Sequence, residues 1–162
     1  MTVTRDRVAA VLLLRPDGAV LMQHRDEKPG LPHAGMWTPP GGHCEADEPM
    51  ESCARREFLE ETDYRCTDLR WLADMKIDDI PHAPAMTLSV FWTFYDGVQS
   101  YQCHEGQALA FVPRAGAERL PIPSYIRDLW DAAIAASRVG DAESLSRSLP
   151  GSTSVPGDVN PS

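Results

Sequence analysis

Apolar positions divide the chain into short runs of different period. Val8 to Leu14 is unbroken, as expected of a strand buried on both faces. Pro16-Asp17-Gly18 is a turn signal, and Ala19 to Met22 returns as a second strand, which predicts a hairpin. From Met86 to Tyr95 the pattern alternates. Met86, Leu88, Val90, Trp92 and Phe94 share one face, while Thr87, Ser89 and Thr93 share the other. Arg65 to Met75 reads as a strand of mixed patterning, Val98 to Cys103 as a further short strand, and Ala108 to Val112 as a brief apolar one. Two segments carry a helical period. Met50 to Glu61 holds good helix formers with no Gly or Pro, and should stop near Thr62–Asp63. Ser124 can cap a last helix running to about Arg138, with Ile126, Leu129, Trp130, Ala133 and Ile134 as its buried stripe. Strands, a helix, more strands and a terminal helix predict an α+β or mixed-sheet architecture and leave its topology open.

Between these elements lie a loop from His24 to His33, rich in proline, glycine and charge, and a proline-broken connection over Asp78 to Pro84. From Val139 the composition shifts to Gly, Ser, Pro and isolated charges. The chain is therefore read as a domain over residues 1–138 and a tail over 139–162 that is expected to be disordered.

The bulk properties narrow the function classes. A length of 162 residues suits one domain with a real core, and a net charge of -9 disfavours a nucleic-acid polymer as partner. No apolar stretch approaches the length of a membrane span. Arg5, Asp6 and Arg7 interrupt the N-terminus before any apolar run, so no signal peptide is read and a cytoplasmic location is expected. Cys44, Cys53, Cys66 and Cys103 form no C-x-x-C pair and no zinc spacing with histidine, which predicts reduced thiols.

The candidate chemistry sits between Gly41 and Tyr64. A Gly-Gly loop leads into the first helix, with Glu45, Asp47 and Glu48 near its positive end. At about 100° per residue, Glu57, Glu60 and Glu61 fall within roughly a quarter-turn. Met50, Cys53, Ala54 and Phe58 lie on or beside the same arc, so the glutamates are expected on the core-facing side. Three such carboxylates repel one another and lose hydration, and on the wheel Arg55 and Arg56 point elsewhere. A divalent cation is the simplest partner, and all-oxygen ligands point to Mg²⁺ or Mn²⁺.

This stretch resembles the Nudix box, G-x5-E-x7-R-E-U-x-E-E-x-G-U, where U is a bulky apolar residue. Gly42, Glu48, Arg56, Glu57, Phe58, Glu60, Glu61 and Tyr64 fill the pattern in register, and Asp63 stands where it has its last glycine. That departure touches the turn after the helix and is expected to change stability slightly and chemistry little. The preceding Trp37-Thr38-Pro39-Pro40-Gly41 resembles the family's usual lead-in.

The resemblance implies an α/β/α sandwich that presents the box glutamates to a cleft. It also implies hydrolysis of a nucleoside diphosphate linked to another group. Metal ions there neutralise the phosphates, orient them and lower the pKa of bound water. By position, Glu57, Glu60 and Glu61 resemble the metal ligands, with the backbone carbonyl of Gly41 as a further one. Arg56 is expected to hold a glutamate, Glu48 or Glu60, in place. Glu105 is the candidate general base, since the family places an acidic residue from a late loop opposite the helix, and Gly106 would let the backbone turn there. Arg25 and Lys28 are candidates to meet a substrate phosphate, against the plainer reading of a solvated loop. The expected partner is a small nucleotide or diphosphate, and the family leaves room for a homodimer. Two other readings stand beside this one, a non-catalytic nucleotide-sensing module and an isoprenoid diphosphate isomerase. The intact glutamates argue against the first, and the scattered His24, His33, His43, Cys44 and Cys103 against the second.

Overall fold

The computed structural model describes residues 6–81 and 83–148. At its centre β1 (Asp6–Leu14) and β6 (Met86–Phe94) run parallel, paired without a break from Asp6↔Met86 to Leu14↔Phe94. Both strands are covered on both faces over most of their length, which is why β1 is apolar from Val8 to Leu14. The polar positions of β6 are buried but satisfied. Ser89 Oγ donates to Asp74, and Thr93 Oγ1 donates to the Thr67 carbonyl at 2.9 Å.

Around this pair the sheet orders as β3 (Trp37–Thr38), β2 (Val20–His24), β1, β6 and β5 (Arg70–Ile77). β4 (Gly41–His43) joins β1, and β7 (Ala108–Val112) joins β2. Two helices cover it. α1 (Met50–Thr62) lays Cys53, Ala54 and Phe58 on Ala9, Val11, Leu13, Leu21 and Phe91. α2 (Ser124–Ser148) lays Ile126, Leu129, Trp130 and Ala133 on the opposite face, against Leu12, Leu14, Val20, Val90 and Trp92. The result is an α/β/α sandwich with a mixed sheet, as expected.

Three element boundaries depart from the sequence reading. β5 starts at Arg70 rather than Arg65, because Asp68 takes a φ of 52° and ends any extended run there. Val98 to Cys103 is no strand. The Asp96 carboxylate accepts the N–H groups of Val98 and Gln99 at 2.8 and 2.9 Å, so a side-chain turn outcompetes pairing. α2 runs past Arg138 to Ser148, since one interior glycine, Gly140, costs only about 1 kcal/mol and no proline follows until Pro150. Residues 149–162 of the expected tail lie outside the described residues.

The feature that positions the site is a fork in β1. Its C-terminal end meets β2 at Leu14↔Val20, whereas its N-terminal half pairs with β4 through Val8↔His43, Ala9↔Gly42 and Ala10↔Gly41. β1 and β2 therefore diverge, and β4 fills the gap. Gly41 makes this close approach possible, because a Cβ there would overlap the Ala9 carbonyl and stand 2.7 Å from Ala10 Cα. Gly41→Ala should destabilise the fold by roughly 2 kcal/mol or more, seen as a lower urea midpoint at unchanged slope.

Candidate active site

α1 leads its glutamates from β4 toward the fork. The helix ends as its sequence suggests, with Asp63 left-handed at φ 64° and its N–H donated to the Leu59 carbonyl. Its inner face buries Cys53, Ala54, Phe58 and Glu61. Glu57 is half-covered, while the Glu60 side chain is 56% exposed, so the expected core-facing trio is a core-facing pair with an outer neighbour.

The glutamates also divide by partner. Arg56 does sit among them, contrary to the helical-wheel expectation, because a long side chain can lie back along the helix surface. Its Nε and Nη2 fork onto the two oxygens of Glu48 at 2.8 and 2.9 Å, and its Nη1 donates to Glu57 at 2.9 Å. Glu60 lies a further 3.4 Å from the same Nη1, and the His43 carbonyl accepts from Nη2 at 3.2 Å. Both expected partners, Glu48 and Glu60, are therefore present. The guanidinium holds the Glu48 carboxyl at about 2, well below the usual range, and a Glu45 N–H contributes. Arg56 is a clamp between the loop and the helix.

Glu61 has a different environment. It is 8% exposed, and its Oε2 accepts the Gly41 N–H at 3.1 Å. Burial pushes its carboxyl up to about 9, and a hydrogen bond that the protonated Glu61 donates to the neighbouring Glu105 carboxyl adds to the shift. Glu105 thus faces the helix glutamates, as the sequence reading expected. Gly106 follows it at φ 83°, packed so closely on the end of β2 that a Cβ would be 2.5 Å from the His24 carbonyl. Gly42 is required for a separate reason, since a Cβ there would overlap the Glu57 carboxylate.

Of these groups, Gly41, Gly42, Glu57, Glu61 and Glu105 line one end of a cleft of about 470 Å³. Arg25 stands on its wall with Nε donated to the Pro32 carbonyl at 2.8 Å, and its terminal amines make no hydrogen bond among the described residues. Lys28 does not line the cleft. It is 76% exposed and lies 3.9 Å from Asp26, because the loop's Pro29-Gly30 turn carries it outward. Sequence reasoning missed the far end, where Leu31, Met86 and Leu88 form an apolar wall and the His33 ring meets the Tyr125 hydroxyl at 2.9 Å. Burial lowers the basicity of His33. Only the left-handed φ of 54° at His33 distinguishes that residue, and no sequence pattern announces it.

The cysteines are a further correction. Cys44 and Cys53 form a disulfide, not reduced thiols, because β4 and the first turns of α1 bring their Cα atoms to 5.2 Å. Cys66 and Cys103 are free. Cys44, Glu48 and Cys53 are also the one trio of candidate ligand atoms within 4.8 Å of one another among the described residues, but the disulfide and Arg56 occupy all three.

The donors at Glu61 nonetheless suit a cation. The buried Glu61 carboxyl meets the exposed Glu105, no Lys or Arg pairs with Glu61 among the described residues, and its raised pKa marks where positive charge is wanted. Oxygen-only donors fit a hard divalent ion.

A pH dependence follows. The unfolded Glu61 carboxyl titrates near 4.5, and the folded one near 9. Between those values the folded state binds more protons, so this group's contribution is full below 4.5 and is lost as pH rises through 9. The metal-free protein should melt lower at each step from pH 5 to 9, by no more than about 1.4 kcal/mol per unit. Glu61→Gln should flatten that slope, as read by thermal melts in matched buffers.

Comparison with known proteins points to one family. Residues 4–130 match the family model described as NUDIX domain. Among solved structures, the MutT protein from Methanosarcina mazei Go1 aligns at TM-score 0.67 and 20% identity, over 81% of this chain and 94% of that one. The NUDIX domain of Shewanella oneidensis NrtR, complexed with ADP ribose, aligns at 0.69 and 17% identity, over 82% and 88%. An Ap4A hydrolase from C. elegans aligns at 0.61 and 17% identity, over 83% and 98%. With the family match spanning most of its length and Glu57 and Glu61 lining a cleft, the chain belongs to the Nudix hydrolase family.

Proposed function

We propose that the protein is a Mg²⁺- or Mn²⁺-dependent pyrophosphohydrolase of small nucleotides, cleaving the diphosphate of a nucleoside diphosphate linked to another group. The observation that carries this reading is the meeting of the buried Glu61 with Glu105 beside Glu57 in one cleft that Arg25 also lines. Phosphates would lie at that end. The apolar end, closed by His33 and Tyr125, suits a nucleoside's ring and its polar edge. The relatives' own names point the same way, since one is an Ap4A hydrolase and another holds ADP ribose.

In this reading Glu57, Glu60, Glu61 and the Gly41 carbonyl hold the ion. When bound, it supplies charge neutralisation for the phosphates and a lower pKa for water. The chain's own residues do the rest. Arg25 offers its free amines to a phosphate oxygen and fixes the diphosphate along the cleft. Arg56 keeps Glu57 at Gly42 and ties it to the loop through Glu48. Glu105, held beside Glu61, takes the proton of the attacking water. The leaving phosphate departs as an anion and requires no strong acid.

The test is a metal-supplemented screen over nucleoside triphosphates, dinucleotides, nucleotide sugars and ADP-ribose, with product separation to identify the bond cleaved. Turnover should require Mg²⁺ or Mn²⁺, and either ion should raise the melting temperature more at pH 8 than at pH 6, because it replaces the Glu61 proton. A chelator that changes neither turnover nor melting contradicts the proposal. Tight binding of a nucleotide without turnover favours the sensing module instead.

Glu57→Gln and Glu105→Gln should each lower kcat by about a hundredfold or more with a folded circular dichroism spectrum. Glu105→Gln should leave KM nearly unchanged, and wild-type rates in either variant would remove that residue from its role.

A further inference from the structure

The one position at which the chain leaves the box pattern lies next to the loop that carries Glu105. Asp63 adopts φ 64° and ψ 5°, a conformation that a glycine enters freely and a residue with a Cβ enters at a cost. Its side chain supplies what glycine could not, because Oδ2 lies 2.7 Å from His104 Nε2.

Two backbone bonds run alongside this contact. The Gln102 N–H donates to the Thr62 carbonyl at 2.8 Å, and the His104 N–H donates to the Glu61 carbonyl at 3.0 Å. The last turn of α1 thus satisfies its free carbonyls with the incoming loop. On the far side of Glu105, its own carbonyl accepts Gln23 Nε2 at 2.7 Å, and the Gln107 N–H donates to His24 at 2.7 Å. Glu105 is therefore held from two sides, by α1 before it and by β2 after it.

The hold matters because the Glu105 carboxyl faces the Glu61 carboxyl from a surface loop. Glu105 is exposed and follows an exposed stretch, so buried apolar packing does not anchor it. We propose that Asp63 and His104 are positioning residues that tether the loop to the end of α1 and keep the Glu105 carboxylate over Glu61. The inference rests on the proposed role of Glu105, and it gives the departure from the family pattern a function.

Three variants test it. Asp63→Gly suits the backbone and removes the side chain. Asp63→Asn keeps both the left-handed preference and a hydrogen-bond acceptor. His104→Ala removes the other partner. Amide hydrogen exchange across residues 102–106 should quicken about tenfold in Asp63→Gly and His104→Ala and stay near wild type in Asp63→Asn. With a nucleoside triphosphate from the panel as probe, kcat should fall about tenfold in the first two at a KM within twofold of wild type, and Asp63→Asn should recover the rate.

In a Glu105→Gln background, Asp63→Gly should add no further loss, since the tether acts through that carboxylate. Wild-type exchange and kcat in Asp63→Gly overturn the proposal, as does a full additional loss on top of Glu105→Gln. If the wild-type protein turns over no member of the panel, the functional reading fails separately, and the exchange measurement alone decides whether the tether exists.

Discussion

The structure depends on how a carboxylate, Glu61, is kept 8% exposed beside a second one. Isolated burial of a charge is costly, and a neighbour of the same sign makes it worse. Here the Gly41 N–H offsets part of that cost, and a proton or cation must supply the remainder. Every element nearby answers to this requirement. β4 has a glycine where a side chain would strike β1, the next glycine leaves room for Glu57, and α1 ends so that its last carbonyls can receive the loop bearing Glu105.

The parallel pair β1 and β6 makes this arrangement rigid. Because β1 is covered by both helices, its register with β6 is fixed over nine residues, and the fork between β2 and β4 opens at a set place. The site is then divided between two kinds of control. Arg56 binds Glu48, Glu57 and, more loosely, Glu60 on the outer side, while Glu61 and Glu105 meet on the inner side. A cation entering from the cleft would compete with Arg56 for Glu57 and with a proton for Glu61. The Cys44–Cys53 disulfide links the two limbs of the box, with Cys53 one turn before Glu57.

Much of this was legible in the sequence, for identifiable reasons. The unbroken run Val8 to Leu14 and the alternation of Met86 to Phe94 are packing patterns, and both gave strands of the expected kind. The spacing of Glu57 and Glu61 placed them on the buried side because helix geometry is local. Glu105 stands out because the family resemblance implies an acidic residue on a late loop and because Gly106 lets the chain turn beside it. The failures share a cause as well. Lys28, the divided partners of the glutamates, the contact of His33 with Tyr125 and the pairing of Cys44 with Cys53 depend on where side chains end in space. No period along the chain encodes that. Asp63 was read as a small local change, and only the arrival of His104, 41 residues later, gives it a partner.

The central claim is that the buried Glu61 carboxyl exchanges a proton for a divalent cation. Isothermal titration of the metal-free protein with Mg²⁺ in buffers of different ionisation enthalpy measures this directly. At pH 7.5 about one proton should be released per bound ion, falling toward zero in Glu61→Gln and to about half a proton as the pH reaches 9. Mg²⁺ binding with no proton release at pH 7.5, or with the same release in Glu61→Gln, would contradict it.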